Sequence, residues 1–307
     1  MQFDAVVFPG QGAQKKGMAR DFAERYDVAA HLFEMAKGQL SFDPYQVCFE
    51  DDERLHQTAF TQPCILLAEM AMYFSLQKAY GLSPKYLAGH SLGEYAALVA
   101  AEVLPSDLAL TLVAKRGELM QNTNVDGGMA AVIMDEVSLQ TLKPLADKHN
   151  VDIANDNSIS QVVLSGDKTD LNALLNVLED TFSEQSYRAV PLNVSAPFHS
   201  RYMKEIEEVF FDFLKSHQDS FALNNLPKVV SNFLGGFYSG SRDELVTALA
   251  RQLSGSVRWR DNMMAITQQT SSILELGPNR PLRGFFKTLN VDIASVINVK
   301  SADKIFK

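Results

Sequence analysis

An α/β fold built on a parallel sheet is what this 307-residue chain predicts, on three observations. Short β-type runs alternate with longer helical runs through the first third of the sequence. Gly89-His90-Ser91-Leu92-Gly93 stands between the apolar run Tyr86 to Ala88 and the helix-forming run Glu94 to Ala101, the pattern of a strand-turn-helix elbow with a serine at its tip. From about Gly127 the order of elements becomes β-α-β-β-α-β, a ferredoxin-like pattern, before single strands and helices resume. The expectation is a large α/β-hydrolase-like domain over residues 1–126 and 196–307, with a small ferredoxin-like subdomain inserted over 127–195.

Each element follows from local pattern. A strand over 2–8 ends in Ala5-Val6-Val7-Phe8 and enters the loop Pro9-Gly10-Gln11-Gly12-Ala13-Gln14, after which helices follow to about residue 80. Gln62 to Tyr80 is rich in Leu, Ala and Met at helical spacing, which predicts a buried helix against the elbow. Strand 86–89 precedes the elbow, and Ser106 to Asn122 reads as a helix capped by Ser106 or Asp107, with Leu108, Leu110, Leu112 and Val113 on its apolar face. The insert is expected to hold strands 129–134, 151–156, 161–165 and 187–194, helices 136–149 and 169–182, and a turn at Asn157-Ser158-Ile159-Ser160. Beyond it come a helix 200–216, a strand Lys228 to Asn232, helices around 242–253 and 257–269, a strand Ser272 to Leu276, and a final helix opened by Gly277-Pro278.

Composition narrows the function. With 46% hydrophobic and 21% charged residues the chain can bury a large core. No apolar run approaches the length that spans a bilayer, and the N-terminus lacks the basic-then-apolar pattern of a secretory signal, so no membrane association is expected. Cys48 and Cys64 imply no disulfide framework, which fits the cytoplasm. A net charge of −9 without a basic stripe argues against nucleic acid. The six histidines and two cysteines show no metal-ligand spacing, so no metal site is expected.

A serine hydroxyl needs an adjacent base to act as a nucleophile. His199, in Val194-Ser195-Ala196-Pro197-Phe198-His199-Ser200 between a strand and a helix, is the candidate, with a structural histidine as the alternative reading. His90 competes, but on such a turn its side chain points away from Ser91. His31, His56, His149 and His217 sit in charged or polar helical contexts. An oxyanion hole could draw on the Leu92 N–H and on the Gly10-Gln11-Gly12 loop. The rival reading of that loop, a phosphate-binding turn, lacks its third glycine and its Lys-Ser/Thr ending. No aspartate stands convincingly between Ser91 and His199, since Asp152 and Asp156 read as loop residues of the insert. Arg116, taken alone, is a surface arginine paired with Glu118.

The chain resembles the malonyl-CoA:acyl carrier protein transacylases, stand-alone acyltransferases of fatty acid and polyketide synthesis, over nearly its full length. The resemblance rests on Phe8-Pro9-Gly10-Gln11-Gly12-Ala13-Gln14, Thr61-Gln62-Pro63, Gly89-His90-Ser91-Leu92-Gly93-Glu94-Tyr95, Arg116-Gly117 with Met120-Gln121, and Asn155-Asp156-Asn157-Ser158 with Gln161-Val162-Val163. It continues in Phe198-His199-Ser200, in Gln252 ahead of Val257-Arg258-Trp259, and in Glu275-Leu276-Gly277-Pro278.

It implies Ser91 as nucleophile and His199 as base, a dyad whose imidazole is oriented by a main-chain carbonyl near Gln252, and oxyanion donors from the Gln11 and Leu92 N–H groups. Arg116 becomes the clamp for the malonyl carboxylate, since a guanidinium grips a carboxylate in two places. Phe198 favours malonyl over methylmalonyl, although Ala196 and Pro197 precede it where many relatives have other residues. Gln62, His90, Asn157, Gln252 and Arg188 join the substrate-binding set, Arg188 toward a CoA phosphate, with Lys15, Lys16, Arg201 and Lys204 as a basic rim.

The implied partners are malonyl-CoA and an acyl carrier protein, which brings its own phosphopantetheine. No other cofactor is implied, and the enzyme is expected to be a cytoplasmic monomer. An acyl-thioester hydrolase on the same fold is the alternative. The Ser-Arg-Tyr-Met and Ala-Asn-Asp-Asn-Ser runs lean toward polyketide-associated relatives.

Overall fold

The computed structural model describes residues 2–123, 125–183, 185–194 and 196–307. The first part of the chain runs β1 (Ala5–Phe8), α1 (Arg20–Arg25), α2 (Asp27–Gln39), α3 (Pro44–Phe49), α4 (Thr58–Tyr80), β2 (Tyr86–Gly89), α5 (Gly93–Ala100) and α6 (Ser106–Gln121). The insert follows as β3 (Gly127–Ile133), α7 (Leu139–Lys148), β4 (Asp152–Ser158), β5 (Gln161–Asp167), α8 (Lys168–Thr181) and β6 (Arg188–Pro191). The remainder is α9 (Lys204–His217), β7 (Val230–Ser231), β8 (Gly236–Phe237), α10 (Arg242–Arg251), α11 (Trp259–Thr267), β9 (Ile273–Leu276), α12 (Leu282–Lys287), β10 (Ala294–Val296) and α13 (Val299–Phe306). The expected boundary residue Ser195 lies outside the described residues.

This is a mixed α/β protein. A four-stranded sheet in the order β10-β9-β1-β2 is parallel throughout. Its central strand β1 is buried at every residue, as a strand covered on both faces requires. β1 and β2 end side by side, Phe8 opposite Gly89, so the loop after β1 and the elbow after β2 share one edge of the sheet.

Helix α4 is the core of the larger part. It starts at Thr58, four residues before the sequence pattern indicates, because Gln121 Oε1 of α6 accepts from the Ala59 N–H that would otherwise be an orphan of the first turn. It ends at Gly81, whose φ of 68° closes the last turn. By length and composition α4 could cross a membrane, contrary to the sequence expectation, but 83% of its most apolar window is buried inside the fold. Helix α6 begins at Ser106 after Pro105 with no side-chain cap, so neither Ser106 nor Asp107 plays that part.

The insert forms a separate antiparallel sheet in the order β4-β5-β3-β6. Leu142 and Ala146 of α7 and Leu171, Leu174 and Leu178 of α8 pack on Ala130, Val132, Val162 and Leu164, while Met129, Ala131, Ala154 and Val163 join the main core from the opposite face. The period of two along each strand produces these two faces. Asn157 and Ser158, expected in a turn, belong to β4, which is held by a parallel bridge between Asn155 and Val257, with Asp156 N–H donating to Val257 O at 3.0 Å. Val257 is spent on this bridge, the Arg258 N–H donates to Asn232 O at 3.0 Å, and α11 starts at Trp259. Strand β6 stops at Pro191, shorter than its apolar pattern indicates: Arg188 to Pro191 pair in register with β3, and beyond them Leu192 adds a single N–H bond to Met129 O. Strand β10 is a three-residue edge with no sequence pattern of its own, defined by pairing with β9.

One pair of acids sits at the heart of the larger part. Glu69 of α4 is fully buried with no hydrogen-bond partner for either carboxyl oxygen among the described residues, and burial, then the nearby Glu275, push its carboxyl well above the ordinary range. Burial also pushes Glu275 up to about 7, against hydrogen bonds from the Leu282 and Arg283 N–H groups and Ser295. Both groups bind protons more tightly folded than unfolded, so their stabilising effect is complete below the ordinary carboxyl value of 4.5 and is lost as pH rises, for Glu275 through about 7 and for Glu69 through its own raised value. Glu69→Met, which removes the carboxyl and keeps the volume, is expected to raise Tm by about 2 to 4 °C at pH 8 and by less at pH 5. Thermal unfolding at the two pH values checks this; an equal shift at both counts against it.

Candidate active site

Tight backbone contact displays Ser91. A Cβ on Gly89 would overlap the Gly93 carbonyl, and one on Gly93 would overlap the Phe8 carbonyl. Only glycine fits at either place. The turn leaves Ser91 at φ 51°, a left-handed conformation that a non-glycine residue holds at a cost of about 1–3 kcal/mol and that surrounding structure must impose. Its N–H donates to Asn232 Oδ1 at 3.1 Å, and Asn232 Nδ2 donates to Gly89 O at 2.7 Å, so one side chain grips both ends of the elbow.

The structure brings His199 to Ser91 across 108 residues of sequence. His199 Nε2 lies 2.8 Å from Ser91 Oγ, and Nδ1 lies 2.7 Å from Gln252 O. A carbonyl only accepts, so Nδ1 carries the proton and Nε2 turns its lone pair to the serine hydroxyl. His199 also has positive φ, 56°, and is fastened by its N–H to Leu253 O at 3.1 Å. Burial, and then the Arg116 charge, push its imidazole down to about 3, so at neutral pH it is the free base.

Arg116 is the largest charge in the site and is almost fully buried. Nη1 donates to Gln62 Oε1 at 2.7 Å, while Nη2 donates to Gln252 Oε1 at 2.9 Å and to Ser91 Oγ at 3.0 Å. Its Nε has no acceptor among the described residues, and the Tyr95 ring lies 5.8 Å from the guanidinium carbon. Glu118, the partner expected from sequence, instead pairs with Lys115 at 3.1 Å. A cation held by neutral amides keeps its capacity for an incoming anion.

Gln11 and Leu92, on the loop after β1 and at the start of α5, each carry a backbone N–H that is not spent. Leu92 precedes the first turn of α5, where free N–H groups converge, and neither it nor Gln11 donates its N–H to another group among the described residues. A Cβ on Gly10 would overlap the His90 carbonyl, so glycine also brings the Gln11 loop onto the elbow. The Gln11 amide donates to Thr58 Oγ1 at 3.1 Å and accepts from Gln62 at 3.4 Å. These groups border a cavity of about 100 Å³ whose apolar wall is Met120, Met129, Leu192, Val194 and Phe198.

His90 lines the same cavity but turns away from Ser91, its Nε2 lying 2.7 Å from Asn157 Oδ1 and its ring edge-on to Trp259. Asn157 acts through His90; Asn155, two residues earlier on the same face of β4, is the one that reaches the cavity. Arg188 does not join the site: it is exposed on β6 and lines a separate depression with Tyr187 and Glu179. The expected basic rim is largely neutralised, Arg201 by Asp152 at 2.8 Å, Lys16 by Asp51 at 3.5 Å and Lys204 by Glu207.

Sequence reasoning missed Glu94, Asn232 and Tyr238, a buried polar cluster beneath the elbow. Glu94 left a signal, being the one charged residue in the otherwise apolar run Gly93 to Ala101. No group of three or more His, Cys, Asp or Glu side chains suited to a metal exists among the described residues.

A strained serine, a neutral histidine within hydrogen-bond reach and free backbone donors beside them define a class of site, the kind that suits acyl-serine chemistry. The profile described as "Acyl transferase domain" matches residues 5–230. The polyketide biosynthesis malonyl CoA-acyl carrier protein transacylase BaeC of Bacillus velezensis is 37% identical over 281 residues, covering 91% of this chain and 93% of the relative. The polyketide biosynthesis protein PksE of Bacillus subtilis is 36% identical over 283 residues, and this chain spans 35% of its length. A solved complex of the malonyl-transacylase PlMCAT with the type II polyketide acyl-carrier protein AntF matches with a TM-score of 0.91 at 33% identity, covering 100% of this chain and 99% of that one. The chain belongs to the malonyl CoA-acyl carrier protein transacylase family of acyltransferases.

Because His199 is held below its ordinary value of 6.5, the reaction of Ser91 with a sulfonyl fluoride is expected to keep its rate as pH falls from 8 to below 6.5. Following inactivation against pH checks this; an inflection at or above 6.5 counts against it.

Proposed function

We propose that this protein moves a malonyl group from malonyl-CoA to the phosphopantetheine thiol of an acyl carrier protein through a malonyl ester on Ser91. The observation that carries the reading is Arg116, a buried guanidinium whose partners are two amides and the Ser91 hydroxyl, with no carboxylate among them and an unfilled Nε; its Nη2 lies 3.0 Å from the nucleophilic oxygen. An acyl group that ends in a carboxylate matches that cation, and its length sets the carboxylate beside Arg116 when its carbonyl meets Ser91.

In the first half-reaction His199 Nε2 takes the Ser91 proton as Oγ attacks the thioester carbonyl. The Gln11 and Leu92 N–H groups stabilise the oxyanion, the C–S bond breaks, and His199 returns the proton to the departing CoA thiolate. In the second, the carrier thiol gives its proton to His199 and attacks the ester, and Ser91 leaves with that proton. The Gln252 carbonyl keeps Nδ1 protonated throughout and so fixes the tautomer. Phe198, buried against the cavity, narrows the space beside the α-carbon and favours an unbranched malonyl unit. Gln62 and Gln252 orient Arg116, and His90 shapes the wall.

The same reading divides the chain into an α/β-hydrolase-like domain over 1–126 and 196–307 and a ferredoxin-like subdomain over 127–195, supported by the parallel sheet and the β4-β5-β3-β6 order. It makes the protein a monomer that needs no cofactor of its own and works in the cytoplasm, where a CoA thioester and the unpaired thiols of Cys48 and Cys64 both belong. The polyketide-associated names of its relatives support service to a polyketide assembly line.

Labelled malonyl-CoA with holo carrier protein is expected to give label on Ser91 and then on the carrier. Label released chiefly as free malonate in the presence of the carrier would make the protein a hydrolase instead. Losing a charge-assisted grip of about 1.5–3 kcal/mol, Arg116→Ala is expected to lower kcat/KM for malonyl-CoA about 100-fold and to affect acetyl-CoA far less. Equal losses for both substrates would overturn the clamp.

A further inference from the structure

Glu94 lies directly beneath the reacting groups and touches none of them. It follows Gly93 in the first turn of α5, is 1% exposed, and has no counter-ion in contact among the described residues. Instead it collects four donors. Its Oε2 accepts from Gln252 Nε2 at 2.6 Å, from the Asn232 N–H at 3.1 Å and from Asn232 Nδ2, and its Oε1 accepts from the Tyr238 hydroxyl. Three of these are nitrogen donors that cannot accept a proton in return, so Oε2 must act as an acceptor. Burial pushes the carboxyl above its ordinary range, and the bonds from Tyr238, Asn232 and Gln252 pull it back.

Two of the three partners of Glu94, Gln252 and Asn232, lead to the site. Gln252 Nε2, held by Glu94, also donates to Ser91 O at 3.1 Å, which leaves its Oε1 to receive Arg116 Nη2 at 2.9 Å. A flipped Gln252 amide would present N–H groups to a guanidinium, donor against donor. The main-chain carbonyl of the same Gln252 sets the His199 tautomer. Asn232, anchored on Glu94, holds the Ser91 N–H. Glu94 also supplies the negative charge that favours the Arg116 cation, the same cation that opposes protonation of His199.

We propose that Glu94 is the counter-charge and positioning residue of this site: through Gln252 and Asn232 it fixes Arg116 and the elbow, and it offsets the guanidinium enough for His199 to take the serine proton. The inference rests on the malonyl-transfer reading above. It supplies, one side chain removed, the anion that the Ser91–His199 dyad lacks.

Glu94→Gln isolates the charge. Its amide oxygen can still accept from Gln252 and Asn232, and its amide nitrogen can donate to the Tyr238 oxygen, so volume and contacts survive while the anion is lost. Tyr238→Phe is the complementary variant, removing one donor and keeping the charge. In steady-state malonyl transfer, Glu94→Gln is expected to lower kcat by about 10-fold or more without raising KM for malonyl-CoA, since an uncompensated Arg116 holds the substrate at least as well. Tyr238→Phe is expected to stay within about 3-fold of the parent enzyme.

Wild-type kcat in Glu94→Gln, a loss in Tyr238→Phe as large as in Glu94→Gln, or a raised KM at unchanged kcat would each overturn the proposal. The ¹³C shift of the Glu94 carboxyl in the intact protein gives a readout that needs no variant: a carboxylate at pH 7 is expected, and a protonated acid would overturn the role. Failure of the malonyl-transfer reading would show separately, as wild-type protein that puts no malonyl on the carrier.

Discussion

Three backbone segments meet at the carboxyl end of the parallel sheet where no side chain fits between them. Gly89 lies on Gly93, Gly93 on the Phe8 carbonyl, and Gly10 on the His90 carbonyl. This contact forces Ser91 into a left-handed conformation and lifts its hydroxyl out of the sheet. It also lays the loop that bears Gln11 beside the helix start that bears Leu92. The exposed serine and the backbone donors beside it are thus products of one packing constraint, and a methyl group at any of the three glycines would separate them.

Around that constraint the site is built from neutral amides. Gln11, Gln62, Gln252 and Asn232 each bridge two groups, Asn157 holds His90, and each can donate and accept at once. They hold a buried guanidinium and a buried imidazole without placing a carboxylate against either. A direct ion pair on Arg116 would satisfy it and close it to substrate. The amides orient it and leave its charge unspent, at the expense of an imidazole driven toward its neutral form, which is the form a general base needs.

The insert completes the cavity. Its antiparallel sheet puts Met129, Asn155 and Leu192 over Ser91 on one face and packs its helices on the other. It is fastened to the larger part by the Asn155–Val257 bridge and by the Arg201–Asp152 and Arg260–Asp156 ion pairs, the last at 2.7 Å. These ties leave from the segments just after His199 and Gln252, so the position of the His199 imidazole and the roof of the cavity are set together.

Much of this was legible in the sequence, because it depends on local rules. Glycines spaced around a serine specify an elbow whatever surrounds them, and alternating patterns revealed both the parallel part and the βαββαβ insert. Ser91, His199 and Arg116 were visible as residue types, and the resemblance implied the roles proposed for them. What sequence could not supply were relations between distant segments. The early start of α4 depends on Gln121, the extension of β4 past Asn157 depends on Val257, and β10 exists only because β9 leaves an edge open. Arg188 looked like a cation near the cleft and lies elsewhere, since closeness along the chain does not fix which face of an edge strand a residue takes. Glu94 looked like one acid in an apolar helix. Tertiary structure alone made it the hub of Asn232, Tyr238 and Gln252, because a buried carboxylate takes its meaning from donors that arrive from more than 130 residues away.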